Sequence, residues 1–363
     1  MSVPVTFVSS HAQRGGAERY LELLVDELGP AWVHEVVCLE DGPLVQRLGE
    51  RGLPLAVIPT GARADVMRAA FRLRRRLART PSAVVHANGV KAGLVAALAT
   101  VGSRAPVIWV KHDFSWDGPL TRFVAARSAK VIGVSAAVLE TFAPRNGKFE
   151  VVHNAIPLAA HDAETARARL HTILGTTGPV VVLVGRLDPI KGHRELIAAA
   201  PTVVERHPDV RFAFVGGEDR SHAAVADELR REAGERFTFL GHREDAVELL
   251  AGADVVVIPS VGDPRGFGRE GFPYVGLEAL SVGTPVVGYR DGGLPELVGE
   301  CGRLVTPRDR SALAVEIVTL LEDTELRQRL AECGQRRAAE RFSLERLVAA
   351  MQEHYQKAAK SDP

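Results

Sequence analysis

Short apolar runs bounded by turn residues alternate with longer stretches of helical period throughout this 363-residue chain, and that alternation admits few folds. Strand-like runs cover Val5 to Ser9, Glu35 to Leu39, Ala56 to Pro59, Ala83 to Ala87, Val107 to Lys111, Lys130 to Ser135 and Val151 to Val152. A second series covers Val180 to Gly185, Arg211 to Gly216, Phe237 to Leu240, Val255 to Pro259, Pro285 to Gly288 and Gly302 to Val305. Strands separated by helices cross over rather than turn back, so the pattern predicts α/β architecture with parallel sheets. The chain is too long for one ordinary core, and two series of strands predict two domains. Ala159 to Gly178, a polar helical piece followed by a Gly/Thr/Pro turn, reads as their connection. Ligands of such sheets bind beyond the carboxyl ends of the strands.

Composition narrows the partners. Forty-five Lys plus Arg balance forty-five Asp plus Glu, so no overall basic field points to nucleic acid. Cys38, Cys301 and Cys333 are widely spaced, show no metal-ligand pattern, and read as incidental thiols in a reducing cytoplasm. The opening MSVPVTFVSS runs straight into a strand without a signal-peptide pattern, and no apolar run is long enough to span a bilayer. The expected location is therefore cytoplasmic, at most peripheral at the inner face of the membrane.

The most informative stretch is EGFPYVGLEALSVGTPVVGYRDGGLPEL, Glu270 to Leu297. It sets Glu270 just before a helix start and Glu278 inside that helix. Pro273 suits the first helical position, and the amides of Tyr274 and Val275 then face an anion such as a diphosphate. Glu278 leans back over that turn, where a carboxylate accepts hydrogen bonds from a ribose diol; Glu270 faces a second set of hydroxyls. The same spacing also fits a capped amphipathic helix with two solvated glutamates.

Other polar residues fall at strand ends. RGG, ending in Gly15 and Gly16, follows the first strand but lacks the G-x-G-x-x-G of nicotinamide and flavin enzymes. Asn88, His112 flanked by Lys111 and Asp113, and Asn154 end later strands; Arg186 and Lys191 lie in GRLDPIKG. A guanidinium beside an ammonium suits a diphosphate, although a solvated loop is the ordinary reading.

Glu270 and Glu278 with seven residues between them, followed by SVGTPVV and GGLPELV, resemble the E-x7-E signature of the retaining glycosyltransferases of family 4. GGAER, VKHD, VIGVS, VVHNAIP, VGRLDPIKG, FVGGE and LAGADVVVIPS extend the resemblance, in order, over almost the whole chain. It implies the GT-B fold, with two Rossmann-like β/α/β domains facing each other across a cleft. Residues 1–158 would form the acceptor-side domain, with a closing helix in 342–363 packing back on it, and residues 159–341 the donor-side domain. It further implies catalytic roles for His112, Glu270, Arg186 and Lys191. Donor binding would use Gly15, Gly16, Arg186, Lys191, Gly216, His242, Arg243, Glu270, Gly271, Phe272, Pro273, Tyr274, Val275 and Glu278, with the base held chiefly by backbone near Gly216, Gly217 and Gly241 to Asp245.

The implied activity is retaining transfer of a hexosyl or N-acetylhexosaminyl unit from a nucleoside-diphosphate sugar, a UDP-sugar before a GDP-sugar. The acceptor is a hydroxyl of a small molecule, natural product, glycolipid or polysaccharide. No cofactor and no metal are expected, because the basic pair and the helix start neutralise the leaving diphosphate, which itself helps deprotonate the acceptor. The alternatives are a nucleotide-sugar 2-epimerase of the same architecture and a non-catalytic nucleotide-sugar binding subunit. The sequence departs from the family pattern over VGDPRGFGR, Val261 to Arg269, where Arg265 and Arg269 are candidate anion contacts beside the ordinary reading of solvated loop charges. Arg63 to Arg79 forms a basic helical pattern with Met67, Ala70, Phe71, Leu73 and Leu77. It reads as a surface helix packing an apolar stripe, with weak peripheral membrane contact as the alternative.

Overall fold

The computed structural model describes residues 2–61, 63–79, 83–142, 146–158, 161–218, 223–262 and 268–360. The chain divides into two compact units, Met1–Ala155 with Leu344–Pro363, and Ile156–Ser343. The first contains β1 (Val5–Ser9), α1 (Gly16–Leu28), β2 (Val33–Cys38), α2 (Pro43–Glu50), β3 (Leu55–Val57), α3 (Arg63–Arg79), β4 (Val84–Asn88), α4 (Val90–Ala99), β5 (Val107–Lys111), α5 (Pro119–Arg127), β6 (Lys130–Gly133) and β7 (Phe149–Val151). The second contains α6 (Ala163–Leu174), β8 (Val180–Val184), α7 (His193–Arg206), β9 (Arg211–Val215), α8 (Ala223–Ala233), β10 (Phe237–Phe239), α9 (Ala246–Ala251), β11 (Val255–Ile258), α10 (Tyr274–Val282), β12 (Val286–Tyr289), α11 (Leu294–Val298), β13 (Gly302–Val305), α12 (Arg310–Glu322) and α13 (Thr324–Arg341). The last helix, α14 (Leu344–Lys360), belongs to the first unit.

Every strand pair is parallel, in the orders β3-β2-β1-β4-β5-β6-β7 and β10-β9-β8-β11-β12-β13. The central strands read VTFVS and VIWVK in the first sheet and VVVLV in the second, β-branched runs with nearly every side chain buried, as a sheet covered on both faces requires. Helices supply the cover at helical spacing. In α1, Leu21, Leu24, Val25 and Leu28 are buried; in the second unit, Leu196 and Val203 of α7 join Leu313, Ile317 and Leu320 of α12 against the sheet. Leu347, Met351 and Tyr355 of α14 are buried in the first unit, where the Tyr355 hydroxyl lies 2.7 Å from His86 Nδ1.

Three expectations are revised. The helical piece in Ala159 to Gly178 is α6, part of the second unit rather than a connection: Ala166 and Leu170 are buried, and Arg167 grips the buried Asp254 carboxylate at 2.9 and 3.2 Å. The unit boundary falls between Ala155 and Ile156, and residues 159 and 160 lie outside the described residues. The cysteines are not all incidental thiols: Cys301 and Cys333 form a disulfide with Cα atoms 5.3 Å apart, because α13 brings Cys333 beside the turn after α11; Cys38 is free and buried. In α3 the apolar stripe is only half packed. Ala70 and Leu73 are buried, whereas Met67 and Phe71 are 63% and 60% exposed. No helix among the described residues is long and apolar enough to cross a membrane.

The disulfide closes a loop between positions 32 residues apart. Replacing both partners by serine is expected to lower stability by about 3 to 4 kcal/mol, by loop-closure entropy. Urea unfolding in non-reducing buffer measures this, and a variant with the wild-type midpoint would show that the bridge adds nothing.

Candidate functional site

In the second sheet the strand order turns between β8 and β11: β9 and β10 lie on one side, β12 and β13 on the other. The loops leaving β8 and β11 diverge there and open a crevice at the carboxyl ends. Lys191 follows β8 and Ser260 follows β11. Both reach Glu270, the Lys191 ammonium at 2.6 Å and the Ser260 hydroxyl at 2.8 Å from the same Oε1. Burial alone would raise the Glu270 carboxyl, but the charge and hydrogen bond of Lys191, the bond from Ser260 and the charge of Arg186 outweigh it and hold the group below its ordinary value. Arg186 is half exposed, 3.6 Å from Asp188, whose carboxylate also accepts from the Ile190 amide at 3.1 Å and shapes the turn that aims Lys191.

The backbone of Glu270 is fixed by the GGLPEL turn. Its carbonyl accepts from the Gly293 amide at 2.8 Å, and Gly292, at φ +56°, passes so close that a Cβ there would lie 2.1 Å from the same oxygen. Arg269 donates to Asp291 in this turn at 2.7 Å, while residues 263–267, Arg265 among them, lie outside the described residues. Helix α10 begins one residue later than the sequence suggests. Pro273, at φ −71° and ψ 121°, is still extended, and its carbonyl accepts from Gly276 and Leu277, which makes it the cap rather than the first helical residue. Tyr274 and Val275 occupy the first turn, with Glu278 half-buried one turn on.

The remaining donor-side residues divide. The Gly216 amide donates to Gly241 at 2.8 Å, and Gly217 lies beside His242, so these two loops meet at the ends of neighbouring strands. His242 is half exposed beside Glu244, and Arg243 is committed to Asp245 through two bonds of 2.8 and 2.7 Å. Gly271 and Phe272 are buried, the Phe272 ring set edge-on against Phe342 at 5.3 Å; that ring supports the loop from within. Ser260 escaped the sequence reading as a site residue, although a hydroxyl directly after a buried strand was the available signal. Asn154 is buried near the unit boundary.

The first sheet turns between β1 and β4. Gly15 caps α1 and Gly16 opens it. Asn88, at the end of β4, donates through Nδ2 to the Ala17 carbonyl at 2.9 Å and meets His112 Nε2 through Oδ1 at 2.6 Å. His112, after β5, stands edge-on to Tyr20 at 4.9 Å. Its flanks left the direction of its titration open; burial settles it, lowering His112 to about 4, with Asp113 opposing and Lys111 assisting. Lys111 itself is fully buried, paired with Asp117 at 2.8 Å and donating to the Asp113 carbonyl, and so pins the loop that carries Trp116, 61% exposed at φ +60°.

Two parallel Rossmann-like units with polar side chains at the turning points of their sheets define the GT-B class. A structure of Anabaena Alr3699/HepE in complex with UDP-glucose is similar at 25% identity and TM-score 0.85, over 98% of this chain and 100% of that one. Residues 14–160 match the model described as Glycosyltransferase Family 4, and residues 178–323 the model described as Glycosyl transferases group 1. The chain belongs to the family 4 glycosyltransferases. A glycogen synthase of Mycobacterium tuberculosis is 32% identical over 68% of this chain, and a D-inositol 3-phosphate glycosyltransferase of Corynebacterium glutamicum 36% identical over 47%. The matched region spans 60% of the former's length and 42% of the latter's.

The Lys191–Glu270 pair gives a pH signature. Because the wild-type Glu270 carboxyl sits below its unfolded value of 4.5, its contribution to stability is present above that value and is lost as pH falls through the folded one. In Lys191→Met the principal opposing charge is gone and burial raises the carboxyl, which then costs stability at higher pH. The gap between wild type and variant should widen from about pH 4 to pH 8 in urea titrations. A gap independent of pH would remove the pair as its cause.

Proposed function

We propose that this protein is a retaining glycosyltransferase that moves a hexosyl unit from a nucleoside-diphosphate sugar, preferentially a UDP-sugar, to an acceptor hydroxyl. The observation that carries this reading is Glu270 clamped by Lys191 and Ser260 at the turning point of the second sheet, directly before α10. The binding of UDP-glucose to HepE supports the choice of base.

In this reading the diphosphate lies at the start of α10, where Arg186 and Lys191 offset the charge that grows as the glycosidic bond breaks. Glu278 accepts from the ribose hydroxyls. Glu270 accepts from hydroxyls of the sugar, and its lowered pKa keeps it ionised, and so an acceptor, across the neutral range. His112, neutral through burial, contacts the transferred sugar. The leaving diphosphate takes the acceptor proton on the face it departs from, so no side chain serves as base. Because two protein cations balance the diphosphate, transfer is expected to persist in EDTA.

The two glutamates separate by calorimetry. Glu278→Gln is expected to weaken UDP and UDP-sugar alike, by roughly tenfold for the loss of charge-assisted bonds, whereas Glu270→Gln should spare UDP and weaken only the intact donor. Equal losses for both ligands in both variants contradict the assignment. Mass spectrometry of the donor products distinguishes transfer and slow hydrolysis from isomerisation, which marks an epimerase, and from the unchanged donor that a binding subunit leaves.

A second surface bears on the acceptor. Met67 and Phe71, one turn apart on α3, are exposed among Arg68, Arg72 and Arg75, the last lying 5.8 Å over the Phe71 ring. Apolar side chains among arginines suit an anionic membrane surface. Sedimentation with phosphatidylglycerol vesicles should capture the wild type at low salt and lose it with Met67→Ser and Phe71→Ser; equal capture of both proteins would exclude α3 as the contact.

A further inference from the structure

The bond between Asn88 and His112 fixes more than a distance. Asn88 Nδ2 donates to the Ala17 carbonyl, which leaves Oδ1 to face His112 Nε2 at 2.6 Å. An amide oxygen only accepts, so the imidazole must carry its proton on Nε2 to complete this bond. Nδ1 is then the bare nitrogen, and it makes no hydrogen bond among the described residues. Asn88 is buried with 1% exposure and Ala17 lies in the first turn of α1, so the amide is held from both sides and cannot turn over without breaking both bonds.

We infer that Asn88 is a positioning residue that locks His112 in the Nε2-protonated tautomer, presenting Nδ1 as a hydrogen-bond acceptor that selects a donor sugar carrying a free hydroxyl at that point. The inference rests on the proposed contact between His112 and the transferred sugar. The groups that face the imidazole are Lys111 and Asp113 on either side, Tyr20 from α1 and His86 from β4. Burial drives His86 down to about 3 and keeps the Tyr20 hydroxyl protonated, so neither supplies a charge near neutrality. Asp113 favours an imidazolium but burial outweighs it, and neither Tyr20 nor His86 nor the neutral amide of Asn88 stabilises one further. A carboxylate in its place would.

Long-range proton–nitrogen spectra of protein labelled with ¹⁵N-histidine test this, with His112 assigned by its absence in His112→Ala. The wild type should show one neutral tautomer, protonated on Nε2, through the neutral range. A proton on Nδ1, a mixture of tautomers, or a charged ring at neutral pH overturns the inference, and this measurement needs no folded variant of Asn88. In the isosteric Asn88→Asp, His112 should titrate near or above the ordinary value of about 6.5. Hydrolysis of UDP-glucose by that variant should then fall on the acid side of this value, with kcat lost and KM for the donor little changed; a profile parallel to wild type overturns the mechanistic consequence. If the spectra show the locked tautomer while His112→Ala turns over as wild type does, the role of His112 fails and the positioning by Asn88 stands. Monodeoxy UDP-glucose analogues complete the test, since a single deoxy position should lose at least tenfold in wild type and much less in His112→Ala. Equal penalties in the two proteins overturn the claim of selection.

Discussion

Parallel pairing is the constraint on which everything else depends. When every strand runs the same way, each crossover returns the chain to the same edge, and every loop that leaves a strand opens at one end of its sheet. Lys191 and Ser260 come from strands separated by seventy residues of chain, yet β8 and β11 are neighbours, and both side chains reach one carboxylate oxygen of Glu270. The same constraint gathers Asn88, His112 and the glycine start of α1 in the first unit. Each cluster stands where the strand order turns, because only there do adjacent loops part and leave room.

Burial gives the two clusters opposite electrical characters. Around Glu270 it is overcome by Lys191, Ser260 and Arg186, so the carboxylate stays charged while little exposed. Around His112 it prevails, and the ring stays neutral with a fixed proton. A charged acceptor and a neutral one are thereby each prepared without a water shell to reorganise, which is the condition under which polar contacts act on a developing charge.

Much of this was legible in the residues. Val5–Ser9 and Val107–Lys111 are strands with the bounds their apolar runs suggest, because a strand buried on both faces advertises itself by its β-branched and aromatic content. The placement of Glu270 before a helix and Glu278 inside it was legible too, since both belong to one loop and helix, whereas their roles came only from the family resemblance. What escaped depended on local backbone angles or on partners distant in sequence. Pro273 looks like a first helical residue until its extended ψ is known. Cys301 and Cys333 look unrelated until α13 crosses the turn after α11. α6 has the composition of a linker, and only the Asp254 carboxylate, eighty-seven residues away, reveals that Arg167 is anchored. Met67 and Phe71 carry the same helical period as the buried Ala70 and Leu73, so periodicity could not tell which part of the stripe is covered.

The contact between Tyr355 and His86 spans 269 positions and closes within the first unit, whose sequence surrounds that of the second. A ribosome that has released everything through Ala155 has not yet made the helix that covers β4. The first half of the protein thus emerges with an apolar face bare, and it stays incomplete while the whole of the second unit is being synthesised. Order of synthesis and order of completion are reversed: the part begun first is finished last.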